Sequence, residues 1–499
     1  FFRKSFRTSD NMQKLNWKLL ILSAVLAITA IFQMGYTNAY PNTAIGSFRI
    51  FLNESANEPY TLSNSEFEWA WSAMLAIYFI GFAAGSVISA GVADRIGRKW
   101  TLFLGTCGSL LSSLIALFAI ILKMPLMFGF SRLVMSLSAA ISMNGLILLF
   151  QESSPSHMRG LISFNAEMAF VITNLIGGLF GMQSILGQNI VGLIAVSIIP
   201  SSVACFLTVF LKESPKYLFL KKHDATEAGR ALQFYQNIKD EEEKMNVLND
   251  LKLEKEEMGH QKNGSLFDIM ANQPVRRGFL LGLATMQLTA SVWPVVFYST
   301  DFLMDAGFSY ELSESVSTGM LFLSSLSTIV GMFIVEKYSR KWLLIGTASV
   351  NIAAILVFSL SAILSHYWTW IGYGCIICLI LHGISYSVAM GPIAWFITSE
   401  LVPINFRAAS QSLVLALNHT VALVLAFLTF PLYKTIGPIT LVIFFVIPGI
   451  LCIIMLILYL PETKDKHINV IVEQLRETKA KRKESQKLET EESIGMNKL

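Results

Sequence analysis

The chain has 499 residues, of which 54% are hydrophobic and only 14% charged, with a mean hydropathy of +0.56. Soluble domains carry about 25% charged residues, so this composition excludes an ordinary globular protein and fits a molecule whose surface mostly faces lipid. The net charge of +4 gives no case for a nucleic-acid partner, and the placement of the charges is more informative than their sum.

Twelve apolar runs of membrane-spanning length follow one another at about 19–40, 69–92, 100–122, 126–150, 160–182, 188–211, 278–300, 312–335, 342–365, 369–399, 408–433 and 437–460. The hydrocarbon core offers no water to the backbone, so these runs must be helices and the fold class is an all-α membrane protein. The first run is too long for a signal peptide and lacks a small-residue cleavage pattern. All five cysteines lie inside proposed spans, which implies no disulfide framework; Cys375-Ile-Ile-Cys378 has redox spacing but reads as structural in an apolar helix.

Taken in order, a basic tail (1–18, with Arg3, Lys4, Arg7, Lys14 and Lys18) precedes span 1, which ends in Gln33-Met34-Gly35-Tyr36-Thr37-Asn38 without an acid. The next loop carries the sequon Asn53-Glu54-Ser55. The loops 94–99, 212–277 and 336–341 and the tail after 460 are rich in Lys and Arg, whereas the alternate loops are poor in them. By the positive-inside rule both termini are cytoplasmic and Asn53 faces outward as a glycosylation site. The expected organisation is a tail (1–18), a first six-span unit (19–211), a cytoplasmic linker (212–277), a second six-span unit (278–460) and a charged tail (461–499). In the linker, Asp224 followed by Glu227 marks a helix start.

The halves are related. Asp94-Arg95-Ile96-Gly97-Arg98-Lys99 returns as Glu336-Lys337-Tyr338-Ser339-Arg340-Lys341, 242 positions later. Glu152 and Arg159 return as Glu400 and Arg407 after 248, and Glu213 returns as Glu462 after 249. Three motifs in one order at a near-constant offset indicate a duplicated architecture, two pseudo-symmetric six-helix bundles.

Together with Arg132, Glu213-Ser214-Pro215-Lys216-Tyr217-Leu218, Gly391-Pro392-Ile393-x-Trp395 and Pro461-Glu462-Thr463-Lys464, these motifs make the chain similar to facilitative hexose transporters of the sugar porter family, within the major facilitator superfamily, over roughly 15–465. The resemblance implies two bundles around a central site that is opened alternately to each side. It further implies that Asp94, Arg98, Arg132, Glu152, Arg159, Glu213, Glu336, Arg340, Glu400, Arg407 and Glu462 form ion pairs between helices that lock the outward-open state. Exposed pairs contribute only about 0–1 kcal/mol each and can be broken thermally; on their own terms, the same charges could serve only to fix topology.

In that family, amides and aromatics on spans 5, 7, 8, 10 and 11 hold the substrate. Here they fall on Glu167, Gln287, Trp293, Ser324, Trp395, Asn418 and His419, with Gln33 added from span 1. Span 7 departs from the family pattern, keeping one amide at Gln287, and span 5 carries Glu167 where the family has glutamine. Glu167 is the only acid well inside a proposed span and shares one helical face with Phe170, Val171, Asn174 and Gly178. A mid-membrane charge costs a few kcal/mol or more, so it should border a polar cavity, as a hydroxyl acceptor, a proton-binding group or the counter-ion of a cation. The position where proton-coupled sugar porters carry an acid is Thr37, which favours uniport.

The sequence therefore reads as a plasma-membrane transporter moving a hexose or related polyol by facilitated diffusion. An organic-ion or proton-coupled transporter using Glu167, and a non-transporting nutrient receptor of the same fold, stay open beside it. No metal-ligand cluster, P-loop, dinucleotide fingerprint or Gly-x-Ser-x-Gly elbow is present, so an enzyme has little footing and neither a cofactor nor a metal is expected. The oligomeric state is not legible.

Overall fold

The computed structural model describes residues 16–54, 62–155, 158–238, 240–259, 266–464, 466 and 468–476. Among them twelve helices are long and apolar enough to cross a membrane. They are α1 (Trp17–Thr43), α2 (Asn64–Ile96), α3 (Arg98–Ile121), α4 (Pro125–Ser153), α5 (Arg159–Gly181) and α6 (Ile190–Phe210) in the first half. The second half has α7 (Gln273–Asp305), α8 (Tyr310–Lys337), α9 (Arg340–Leu364), α10 (Thr369–Leu401), α11 (Ile404–Ile436) and α12 (Ile439–Tyr459). No strand occurs among the described residues.

In the first half α1 lies along α5, and α4 packs on both α2 and α3. Small residues permit the approach, as is usual where lipid supplies no hydrophobic drive between helices: a Cβ at Gly177 of α5 would stand 2.5 Å from the Tyr36 carbonyl oxygen of α1. In the second half three helices change pitch just ahead of a proline. A ring at position i removes one backbone N–H and collides with the carbonyl of i−4. Ahead of Pro294, α7 tightens into a 3-10 turn at Leu288–Ser291. Ahead of Pro392 and Pro448, α10 and α12 widen into π turns at Tyr386–Met390 and Val442–Val446. The helix α7 also runs beyond the 278–300 expected from hydropathy, which brings Asp301 inside the protein at 2% exposure.

Between α6 and α7, helices Pro215–Leu220, Ala225–Gln236, Glu241–Gly259 and Leu266–Ala271 lie on one face of the bundle. Asp224 caps the second through the Glu227 N–H at 2.9 Å. Tyr217 Oη donates to the Arg95 carbonyl at 3.0 Å and Gln236 Nε2 to that of Ser153 at 3.0 Å, so these helices seat on the ends of α2 and α4. This side is the linker face below, and the opposite side the far face. The halves meet along α1–α7, α2–α11 and α5–α8.

Candidate functional site

On the linker face the charged motifs assemble twice. Arg98, at the start of α3, lies 2.9 Å from the Glu152 carboxylate at the end of α4 and 3.5 Å from Asp94. Glu213 accepts the backbone N–H groups of Arg98 and Lys99 at 2.9 and 3.0 Å, supplying an anion where the α3 dipole is positive. Ser214 Oγ donates to the same Glu152 oxygen. In the second half Arg340 pairs with Glu400, and Glu462 accepts the N–H of Arg340 at 3.0 Å and of Lys341 at 3.2 Å together with the Ser339 hydroxyl. The two capping acids differ. Burial pushes the Glu213 carboxyl up despite its N–H donors and Arg98, whereas at Glu462 burial is outweighed by the Ser339 hydroxyl and the Lys464, Lys341 and Arg340 N–H groups, which hold it below the usual range.

The Arg98–Glu152 and Arg340–Glu400 pairs each join helices of one half. Five of the residues read as ion-pair members do something else. Arg132, 3% exposed, sits in the far half of α4 and donates to the carbonyls of Met74 at 2.9 Å and Thr37 at 3.0 Å, with no carboxylate partner among the described residues. Arg407 donates to the Val402 carbonyl at 3.4 Å, also without a carboxylate partner there. Glu336 is exposed and unpaired among the described residues. Glu213 and Glu462 bind backbone rather than guanidinium. The Arg159 side chain lies outside the described residues.

Between the halves is an aromatic wall. Trp293 of α7 meets Tyr78 and Phe79 of α2 at ring separations of 5.7 and 5.2 Å, Phe170 of α5 at 6.5 Å and Phe297 at 6.1 Å. His419 of α11 stacks on Phe82 at 5.4 Å and meets Phe79 at 6.3 Å. Glu167, one turn before Phe170, is half-buried, as are Tyr386 and His419. Tyr386, in the widened turn of α10, is within electrostatic reach of Glu167 and beside the Trp395 indole. Gly391 makes room for it, since a Cβ there would stand 2.7 Å from the Tyr386 ring. Gln287 ends the first segment of α7, and its Oε1 has no hydrogen-bond partner. Asn418 is buried with Oδ1 likewise unpartnered.

Two candidates face elsewhere. Gln33 turns into the first bundle, bonding the Ser113 hydroxyl, the Ser197 carbonyl at 3.2 Å and the Ser201 hydroxyl at 3.2 Å. Ser324 of α8 packs against Gly383 of α10. Both lie on the correct helices, rotated toward their own bundle. Asn53 is partly exposed near the end of helix Ile45–Glu54 on the far face.

Sequence reasoning missed the far-face seal. Asn42 of α1 donates to Ser299 Oγ at 2.8 Å and accepts the Thr300 N–H of α7 at 3.0 Å. Tyr310 of α8 donates to the Thr43 carbonyl, and Glu314 accepts the Gln183 N–H at 2.9 Å. These bonds cross between the halves. The only available signal was polar residues clustered at the ends of apolar runs, which helix caps share.

Residues 22–474 match the family model described as sugar (and other) transporter. The chain belongs to that sugar transporter family. Facilitated glucose transporter member 5 of solute carrier family 2 from Mus musculus is 25% identical over 476 residues, covering 92% of each chain. Member 3 from Oryctolagus cuniculus is 26% identical over 411 residues, covering 80% of this sugar transporter-family chain and 81% of that relative. The inward open conformation of the xylose transporter XylE from E. coli superposes with a TM-score of 0.73 at 18% identity, covering 92% of this chain and 99% of that one. The nucleoside transporter NupG gives 0.57 at 14% identity, covering 88% and 99%. These likenesses establish the major facilitator fold, and with twelve apolar helices the family member is an integral, multi-pass membrane protein.

Proposed function

We propose that this chain carries a hexose-class sugar across the membrane as a uniporter, exposing the cleft between its halves to one side at a time. The observation that carries the reading is the meeting of Trp293, Phe170, Phe79 and His419, from four helices of both halves, in one aromatic cluster, with Glu167 one turn from Phe170. Aromatic faces suit the C–H faces of a sugar ring, and the unpartnered Gln287 and Asn418 oxygens suit its hydroxyls. Thr37 supports uniport, because Arg132 meets its carbonyl where a coupling acid would otherwise stand. The Arg98–Glu152 and Arg340–Glu400 clusters hold the linker-face helix ends while the halves rock, and the Asn42 bonds close the far face.

The Lys- and Arg-rich linker assigns the linker face to the cytoplasm, which turns Asn53 outward at the plasma membrane. Uptake of labelled glucose, fructose and xylose into proteoliposomes, with and without a pH gradient, tests the reading. Saturable uptake without uphill accumulation is expected, and absence of flux for every sugar overturns it. Asn53→Gln should abolish a glycosidase-sensitive mobility shift; an unchanged band refutes the assigned orientation or the use of this sequon.

A further inference from the structure

The polar groups between the halves are lopsided. Glu167 makes no hydrogen bond or ion pair among the described residues. Two turns along the same face Asn174 is buried with its Oδ1 unpartnered, and Gln287 contributes a third oxygen without a donor. No described basic side chain lies within ion-pair distance of Glu167, and the buried guanidinium of the first half, Arg132, is directed to the Met74 and Thr37 carbonyls. Beside this carboxylate stands the aromatic wall of Phe170, Trp293 and Phe79, with Tyr386 opposite. A carboxylate with aromatic faces and spare acceptor oxygens is the chemistry that binds an ammonium: three N–H donors satisfy the acceptors, and the charge lies against the rings. A neutral hydroxyl in the same place supplies no counter-charge, so the carboxyl there gives up its charge instead of bearing it buried and unpaired.

We infer that the cleft selects a hexose bearing a protonated amino group over the neutral hexose, with Glu167 as the counter-ion and specificity-determining residue. The inference rests on the sugar-transport reading and deepens it. The amine replaces one ring hydroxyl with little change of shape, so Trp395 and Trp293 still have a sugar ring to contact.

The experiment is uptake of labelled 2-amino-2-deoxyglucose and glucose by the full chain in proteoliposomes, compared as kcat/KM. A preference of about tenfold or more for the amino sugar is expected, since a counter-charge contributing about 1.4 kcal/mol gives that ratio. The preference should fall as external pH is raised and the amine loses its proton. Glu167→Gln should reduce it to within about twofold and Glu167→Asp should keep most of it, because only the latter retains the charge. Equal uptake of both sugars by the wild type, or an unaltered ratio in Glu167→Gln, overturns the inference while leaving sugar transport standing. Uptake of a quaternary ammonium with no sugar transported overturns both. If Glu167→Gln fails to fold, the wild-type ratio and its pH dependence decide alone.

Discussion

Arg98 Nε lies 2.9 Å from a Glu152 carboxylate oxygen, joining the start of α3 to the end of α4, with both side chains about one-eighth exposed. A charge-assisted bond in that setting contributes about 1.5–3 kcal/mol. Arg98→Ala should therefore lower the unfolding temperature and slow turnover without blocking membrane insertion, read by thermal unfolding in detergent beside sugar uptake. Turnover equal to wild type would leave Arg98 a topological role only.

Gly97 precedes Arg98 with φ of +104°, and a Cβ there would collide with the Glu213 carboxylate. The backbone strain of an L-residue at positive φ is about 1–2 kcal/mol, and displacement of Glu213 removes the cap on α3. Gly97→Ala should destabilise by at least that amount. In a Glu213→Ala background the penalty should shrink to the strain alone, and an undiminished penalty there would rule out the collision.

Glu213 and Glu462 should show opposite pH behaviour. The folded value of Glu213 is raised, so its contribution to stability is present below the ordinary carboxylate range and is lost as pH rises through the folded value. Glu462 is held low, so its contribution is present above that range and is lost as pH falls through its folded value. As pH rises above the ordinary carboxylate range the effect of Glu213→Gln on unfolding temperature should become more favourable, and as pH rises toward that range from below the effect of Glu462→Gln should become less favourable. Parallel slopes would contradict the difference.

Asn42 joins α1 to α7 through Ser299 and Thr300. Two hydrogen bonds of about 0.5–1.5 kcal/mol each make Asn42→Ala open the far face by about one order of magnitude in population. A cysteine introduced at Ser317, which accepts a hydrogen bond from Ser299, should react correspondingly faster with an impermeant maleimide. An unchanged rate would mean that Tyr310 and Glu314 close this face without Asn42.

Much of the candidate site was legible. Glu167 betrayed itself as an acid in an apolar run, and Trp293 and His419 by replacing expected residues within recognisable motifs. For Gln33, Ser324 and Arg132 the sequence gives the helix but not the neighbours. Gln33 and Phe32 are adjacent in sequence, yet the Gln33 amide reaches Ser113, Ser197 and Ser201 while Phe32 stacks on Tyr36 at 5.0 Å. One residue is about 100° of helix rotation, enough to change which neighbour a side chain meets.

By itself the sequence determined the twelve helices and their pairing into halves, because a charge-free run in lipid has no other way to satisfy its backbone, and because equal spacing puts Arg98 and Arg340, Glu152 and Glu400, and Glu213 and Glu462 at equivalent helix ends. Only the tertiary structure decided which faces meet. Helical periodicity says which side chains travel together, but the rotation of α1 against α5 is set by how closely Gly177 lets Tyr36 approach. That contact is made between residues 141 positions apart in the chain, and with it the Gln33 amide turns to Ser113, Ser197 and Ser201 of its own bundle.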